Sequence, residues 1–221
     1  MPIVIAIDGP AGAGKSTIAR RLAARLGFTY IDSGAMYRAV ALWAVRQSLD
    51  PSDRHHMEQL ALAAAITLAG DGSRVMLNDE DVTEAIRAPE VSRAASLVAT
   101  IPGVRRALVE KQRAIGRERN VVMEGRDIGS VVFPGADVKI FLDAATEERA
   151  RRRAAELNGD HESVARQIRE RDERDRTRAE APLTQAPDAI YLDSTGLGIE
   201  DVEEAILKLV RARISNGKEY R

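Results

Sequence analysis

The chain has no cysteine. Disulfides, thiolate nucleophiles and zinc–thiolate sites are therefore excluded. Its only histidines are His55, His56 and His161, which leaves little for a histidine metal site. Aromatic residues make up 4% of the sequence, too few for a stacking platform along single-stranded nucleic acid. There is no excess of positive charge either: 33 Lys and Arg face 34 Asp and Glu, a formal net charge of -1. A bulk polyanion binder draws its affinity from released counterions and needs such an excess. Long apolar runs of about 18 residues are lacking, and the apolar stretch at Met1–Ile7 has no basic segment before it and is too short for a signal peptide. The expectation is a soluble, cytoplasmic protein with neither a membrane nor a nucleic acid as partner.

What is present suits one α/β domain. The chain has 221 residues, 44% of them hydrophobic, enough to bury a substantial core. Five short apolar runs each stop at an acid: Ile3–Ile7 at Asp8, Phe28–Ile31 at Asp32, Val121–Met123 at Glu124, Val138–Leu142 at Asp143 and Ile190–Leu192 at Asp193. Such runs read as buried parallel strands. In an open parallel sheet the ligand crevice lies beyond the carboxyl ends, so these five acids are expected along one edge. Ile18, Leu22 and Leu26 recur at helical spacing before Gly27, and Met36, Val40 and Trp43 do so in the next helix. Ile199, Val202, Ile206 and Leu209 form the expected inner stripe of the last helix. Two segments interrupt the pattern. Residues 66–83 read as a small β-hairpin or meander around Gly70–Ser73, with helices after it over 91–99 and from Pro102 to about Arg117. Residues 149–178 read as a charge-dense helical pair broken at Asn158-Gly159, a candidate hinge together with the region of Pro182 and Pro187.

Gly9, Pro10, Ala11, Gly12, Ala13, Gly14, Lys15, Ser16 and Thr17 match the pattern G-x-x-x-x-G-K-[ST]. The glycines let successive backbone N–H groups ring a phosphate, and the helix that follows adds its N-terminal dipole. In that pattern the lysine reaches the β- and γ-phosphates and the Ser16 hydroxyl can sit on Mg²⁺. A strand before and a helix after supply the required context. The match points to a nucleoside triphosphate but is silent about the acceptor.

Arginine dominates the basic residues, 28 of 33. A GC-rich genome produces that bias without functional meaning, so position must decide. Three arginine clusters fall at the expected crevice: Asp32-Ser33-Gly34-Ala35-Met36-Tyr37-Arg38, Glu124-Gly125-Arg126-Asp127-Ile128-Gly129, and Glu170 to Arg178. Each has a bland reading: a helix N-cap, an exposed Arg–Asp pair, and a solvated helix laced with i,i+4 pairs. Together, and downstream of a phosphate-binding turn, they point to a donor-plus-acceptor phosphate site. The chain is short and lacks an Asn-Lys-x-Asp stretch, which favours a small kinase over a GTPase. Two other classes stay open: a kinase for UMP, AMP or shikimate, and a non-catalytic or nucleic-acid-associated P-loop ATPase.

GPAGAGKST, YIDSGAMYRA, LNDEDVTEAIRAPEVS, EGRDIGSVVFP, KIFLDA, RERDERDRTR and YLDST follow one another in this order. Over about residues 3–213 the sequence resembles the bacterial cytidylate kinases, the (d)CMP kinases of the nucleoside monophosphate kinase group. The resemblance implies a P-loop three-layer fold with a five-stranded parallel sheet (core about 1–60, 103–148 and 186–221), a monophosphate-binding insert of the bacterial long form over about 61–102, and a helical lid over about 149–185. It implies a monomer using ATP with Mg²⁺ to phosphorylate CMP or dCMP. Gly9–Thr17 would hold ATP, with Ser16 toward the metal. Asp32, Ser33 and Arg38 would face CMP; Ser96, Arg105 and Asp127 would meet the cytosine; Arg171 and Asp175 would reach the sugar. Lys15, Arg126, Arg171, Arg174 and Arg178 would form the phosphoryl clamp. Arg171, Asp175 and Arg178 at i, i+4 and i+7 are expected on one helix face. Three departures are visible: a lid shorter by several residues over 150–170, Asn78-Asp79 in place of an Asn-Gly hairpin turn, and Glu124 at a Walker-B-like position.

Overall fold

A computed structural model describes residues 2–157 and 160–215. The core is a five-stranded, wholly parallel sheet in the order β2-β6-β1-β7-β8. Its strands are β1 (Val4–Asp8), β2 (Thr29–Asp32), β6 (Val121–Gly125), β7 (Val138–Asp143) and β8 (Ile190–Asp193). β1 shows why these runs are continuous rather than alternating. Ile5 and Ile7 enter one core with Ile18 and Leu22 of α1 (Lys15–Leu26) and Ile206 of α8 (Ile199–Ser215), while Val4 and Ala6 enter another with Val109 of α5 (Pro102–Glu118) and Ile128. A strand covered on both faces needs apolar residues on both. Along α8, Val202, Ile206 and Val210 are buried, but Ile199 is half-exposed; it is the first residue of the helix, where the stripe has not yet reached the sheet.

Both interruptions are folded pieces. β3 (Ile66–Leu68), β4 (Val75–Leu77) and β5 (Glu80–Asp81) form a small antiparallel sheet. Asn78 and Asp79 turn its second corner with φ of 49° and 67°, the positive-φ pair of a type I′ turn. The insert continues through a short 3₁₀ turn at Ala85–Arg87 and α4 (Pro89–Val98). It shares a core with α2 (Ser33–Arg46), α3 (Arg54–Ala63) and α5, in which Met36, Val40, Met57, Val98 and Leu108 are fully buried. The second interruption is the pair α6 (Thr146–Leu157) and α7 (His161–Thr177). Its small apolar centre, Ala150, Val164, Ala165 and Ile168, closes on Ala11 of the glycine-rich turn. Asp160 caps α7 by accepting the Ser163 N–H at 2.7 Å. Asn158 and Gly159, the candidate hinge, lie outside the described residues.

Candidate active site

The turn between β1 and α1 is shaped by two close approaches. A Cβ on Gly9 would meet the Leu142 carbonyl oxygen at 1.9 Å, and one on Gly12, where φ is +77°, would meet the Arg149 carbonyl oxygen at 2.8 Å. Glycine is therefore required twice, once by the sheet and once by α6. Lys15 opens α1, is buried, and donates from Nζ to the Pro10 carbonyl at 2.7 Å. Burial, and then the positive charge of Arg126, lower its pKa to about 7.

The five acids do lie at one sheet edge, with Asp32 beside Glu124 and Asp143 beside Asp193 in register. They do different work. Asp8 accepts the N–H groups of Ile128 and Gly129 at 2.8 and 2.7 Å and so pins the loop after β6. Asp143 and Asp193 accept N–H groups of their own loops, from Ala144 and Thr195. Asp32 and Glu124 line a cavity of about 650 Å³. Burial pushes the Asp32 carboxyl up, but Arg38, donating from Nη2 at 2.7 Å, the Ala35 N–H and Lys15 together outweigh it and the net shift is downward. Burial, and then the charge of Asp32, raise the Glu124 pKa.

The cavity runs from the turn to the insert. Among the expected residues, Ala11, Gly12, Gly14, Lys15, Ser16 and Thr17 line it at one end. Asp32, Ser33, Arg38, Ser96, Arg105, Arg126, Asp127, Arg171, Asp175 and Arg178 line the rest. The neighbours Arg126 and Asp127 do not pair with each other. Arg126 Nε donates to Asp175 Oδ2 of α7 at 2.9 Å, and Asp127 takes a short bond from Arg105 of α5 while lying 3.4 Å from Arg178 Nη2. Asp127, Asp175, Arg105 and Arg178 are all buried. The exposed-pair and solvated-helix readings thus both give way to buried, cross-element ion pairs. Burial, and then Arg126, lower Arg171 to about 10, and its Nε, like Arg178 Nη2, is buried without a hydrogen-bond partner. Both residues line the cavity, and guanidinium groups with hydrogen-bonding capacity to spare are what a phosphate would satisfy.

Two expected residues sit differently. Arg178 lies just past the end of α7, as its C-cap, held by its N–H to the Arg174 carbonyl; the helix ends one residue before the i+7 position. Arg174 is not among the residues lining the cavity, and its Nη1 donates to Ser96 Oγ at 2.5 Å. That bond ties α7 to α4 of the insert. Gly9, Pro10 and Ala13 also stand back from the cavity. Sequence reasoning missed Tyr37, Tyr30, Arg20, Arg74, Arg87 and Arg153, which do line it. Tyr37 had a signal, since it follows Ser33 by one helical turn. The others come from separate elements, and nothing local marks them.

The model of the cytidylate kinase family matches residues 5–212. The chain belongs to that family. It is 64% identical over 225 residues to the cytidylate kinase of Solibacter usitatus (strain Ellin6076), covering 99% of this chain and 96% of that one. It is 52% identical over 222 residues to the cytidylate kinase of Pelotomaculum thermopropionicum, covering 97% and 96%. Among solved structures, a gluconokinase from Sinorhizobium meliloti 1021 superposes with a TM-score of 0.51 at 14% identity, covering 97% of this chain and 95% of that one. That last likeness shows the fold alone. The enzyme is a kinase, and no helix among its described residues is long and apolar enough to cross a membrane.

Proposed function

We propose that the enzyme transfers the γ-phosphoryl group of ATP to CMP or dCMP, with the turn Gly9–Thr17 as donor site and the Arg38/Arg126/Asp127 end of the cavity as acceptor site. The observation that carries the acceptor is the buried Arg105–Asp127 pair opening on the cavity beside Ser96. Cytosine presents an amino donor at position 4 and acceptors at N3 and O2. A carboxylate has about four lone-pair sites and a guanidinium five N–H groups, so each keeps capacity for a base after pairing. Uracil turns a carbonyl toward the carboxylate instead, and a buried polar site penalises that mismatch strongly.

In the transfer, an oxygen of the CMP phosphate attacks Pγ, a new P–O bond forms, and the bond from Pγ to the β,γ-bridging oxygen breaks. Its electron pair leaves with ADP. The acceptor phosphate is largely ionised at neutral pH, so no general base is needed. Lys15, Arg126, Arg171 and Arg178 meet the charge on the moving group, and positioning supplies the rest. Asp175 orients Arg126 by their 2.9 Å contact. Arg174 acts at one remove, by holding the lid to the insert through Ser96.

Among the described residues no cluster of His, Cys, Asp and Glu could hold a metal on its own. The Ser16 hydroxyl, with Glu124 and Asp32 lining the same cavity, makes an all-oxygen donor set that suits Mg²⁺ carried largely by nucleotide phosphates. Ser16 would hold the ion directly, with Glu124 behind it, and the ion would neutralise charge on the β- and γ-phosphates. We place the enzyme in the cytoplasm, as a monomer, within pyrimidine nucleotide metabolism.

A coupled ADP-release assay with CMP, dCMP, UMP, AMP and shikimate, run beside Asp127→Ala, tests the reading. The expected result is turnover of CMP and dCMP well above the others, with discrimination against UMP eroded in the variant. Steady ATP hydrolysis with no acceptor preferred would overturn it.

A further inference from the structure

Tyr30 belongs to no phosphate-binding motif, yet it lines the cavity and is fully buried. Its hydroxyl donates to Glu124 Oε1 at 2.6 Å, and Ser16 lies near enough to act on that same carboxylate. Burial, and then the Glu124 charge, push the phenol well above its usual range, so it remains a donor. The rest of Tyr30 meets the insert. Its backbone N–H donates to the Gly70 carbonyl at 2.7 Å. Gly72 lies so close over the ring that a Cβ there would reach Tyr30 Cδ1 at 2.3 Å. The Arg20 guanidinium stands 5.2 Å from the ring centroid. One side chain thus touches the β3–β4 corner at one end and the carboxylate behind Ser16 at the other.

We propose that Tyr30 is a positioning residue for the metal–nucleotide complex: it fixes the Glu124 carboxylate against Ser16, and through Gly70 and Gly72 it ties that placement to the position of the insert. The inference deepens the proposed ATP–Mg²⁺ site and rests on it. The physical reason is geometric. A carboxylate that orients a hydroxyl or a metal-bound water must itself be held, and Glu124 has the Tyr30 hydroxyl as a rigid, ring-borne donor. Lys15 and Asp32 also act on Glu124, but through their charge, which does not fix a direction.

The test is Tyr30→Phe, which deletes one hydroxyl and keeps the ring under Gly72. Mg²⁺ is titrated calorimetrically into the enzyme–ADP complex, an experiment that needs no acceptor and so does not depend on CMP being the substrate. The variant is expected to bind Mg²⁺ about tenfold more weakly, with the ADP affinity measured in EDTA within about twofold of the parent. With CMP, kcat falls by about tenfold while the KM for CMP stays put. An unchanged Mg²⁺ affinity overturns the proposal, as does a lowered melting temperature with both constants intact, which would make Tyr30 purely structural. The link to the insert is read by amide hydrogen exchange over residues 69–73. Adding Mg²⁺ to the parent enzyme–ADP complex is expected to slow it, and the slowing should vanish in Tyr30→Phe. Exchange in the parent that ignores Mg²⁺ overturns that half.

Discussion

The Asp172 carboxylate of α7 accepts the backbone N–H of Ala11 in the phosphate-binding turn at 3.2 Å. Arg149 completes the join. It is buried, pairs with Asp172 at 2.5 Å, and donates to the Ala11 carbonyl and the Ala144 carbonyl, both at 2.9 Å. Both backbone groups of one turn residue are therefore satisfied by the α6–α7 pair, and α7 also carries Arg171 and Asp175 into the cavity. Asp172→Ala leaves the buried Arg149 with only the more distant Asp143 carboxylate, 3.7 Å from its Nε, a loss on the order of 3 kcal/mol in local stability. The expected outcome is an α6–α7 pair that seats poorly on the turn: ATP hydrolysis without CMP rises several-fold while CMP phosphorylation falls. Asp172→Asn, which keeps an acceptor, should recover part of the coupling. Equal leak rates in the parent and both variants would show that the contact does not govern closure.

Arg105 and Asp127 support the acceptor reading in a way that kinetics can separate. Asp127→Asn offers N–H groups where the carboxylate only accepts, and it leaves Arg105 and Arg178 short of a counter-charge. CMP kcat/KM is expected to fall by at least about a hundredfold, and the CMP-to-UMP ratio to drop toward unity. An unaltered ratio in a folded variant would remove Asp127 from base recognition.

Lys15 gives a pH signature. Burial lowers its pKa to about 7, so at pH 8 the amine is mostly neutral. A bound polyphosphate favours the ammonium, and nucleotide binding at pH 8 should take up close to one proton. Calorimetry of ADP binding in buffers of different ionisation enthalpy reads that number directly. The sign for stability follows from the same depression. Below about pH 7 the folded state bears the cost of a buried charge; as the pH climbs from there toward the unfolded value of 10.5, that cost is relieved. Proton uptake near zero at pH 8 would mean the amine is already charged before nucleotide arrives.

Gly9→Ala probes the sheet rather than the chemistry. The added carbon would fall 1.9 Å from the Leu142 carbonyl oxygen, at a residue with φ of +150°. β1 and β7 would have to separate beside the Asp8–Phe141 register position. Destabilisation of about 3 kcal/mol or more is expected from denaturant melts. Gly135→Ala, where a Cβ meets nothing within 4 Å, serves as the control and should melt like the parent.

Local physics wrote much of this protein into its sequence. Apolar runs that stop at acids became parallel strands because a strand buried on both faces, as β1 is, admits few polar residues; the exceptions are Lys139 of β7, buried but bonded to the Pro134 carbonyl and Asp188, and the edge strand β8, where Tyr191 is exposed. The turn Gly9–Thr17 and the Asn78-Asp79 corner were legible because positive φ and close backbone approach admit few residue types. What the sequence could not assign was pairing. Arg126 and Asp127 are neighbours in the chain, and the tertiary structure sends them to different partners, Asp175 and Arg105. Arg174 and Arg178 sit in one charge-dense stretch, yet one holds the insert and the other faces the cavity. Tyr30 reads as one more strand residue until β3–β4 is laid across it. Backbone conformation depends on residues within a few positions of one another, whereas the partner of a buried charge is whichever opposite charge the packing of distant elements brings within reach.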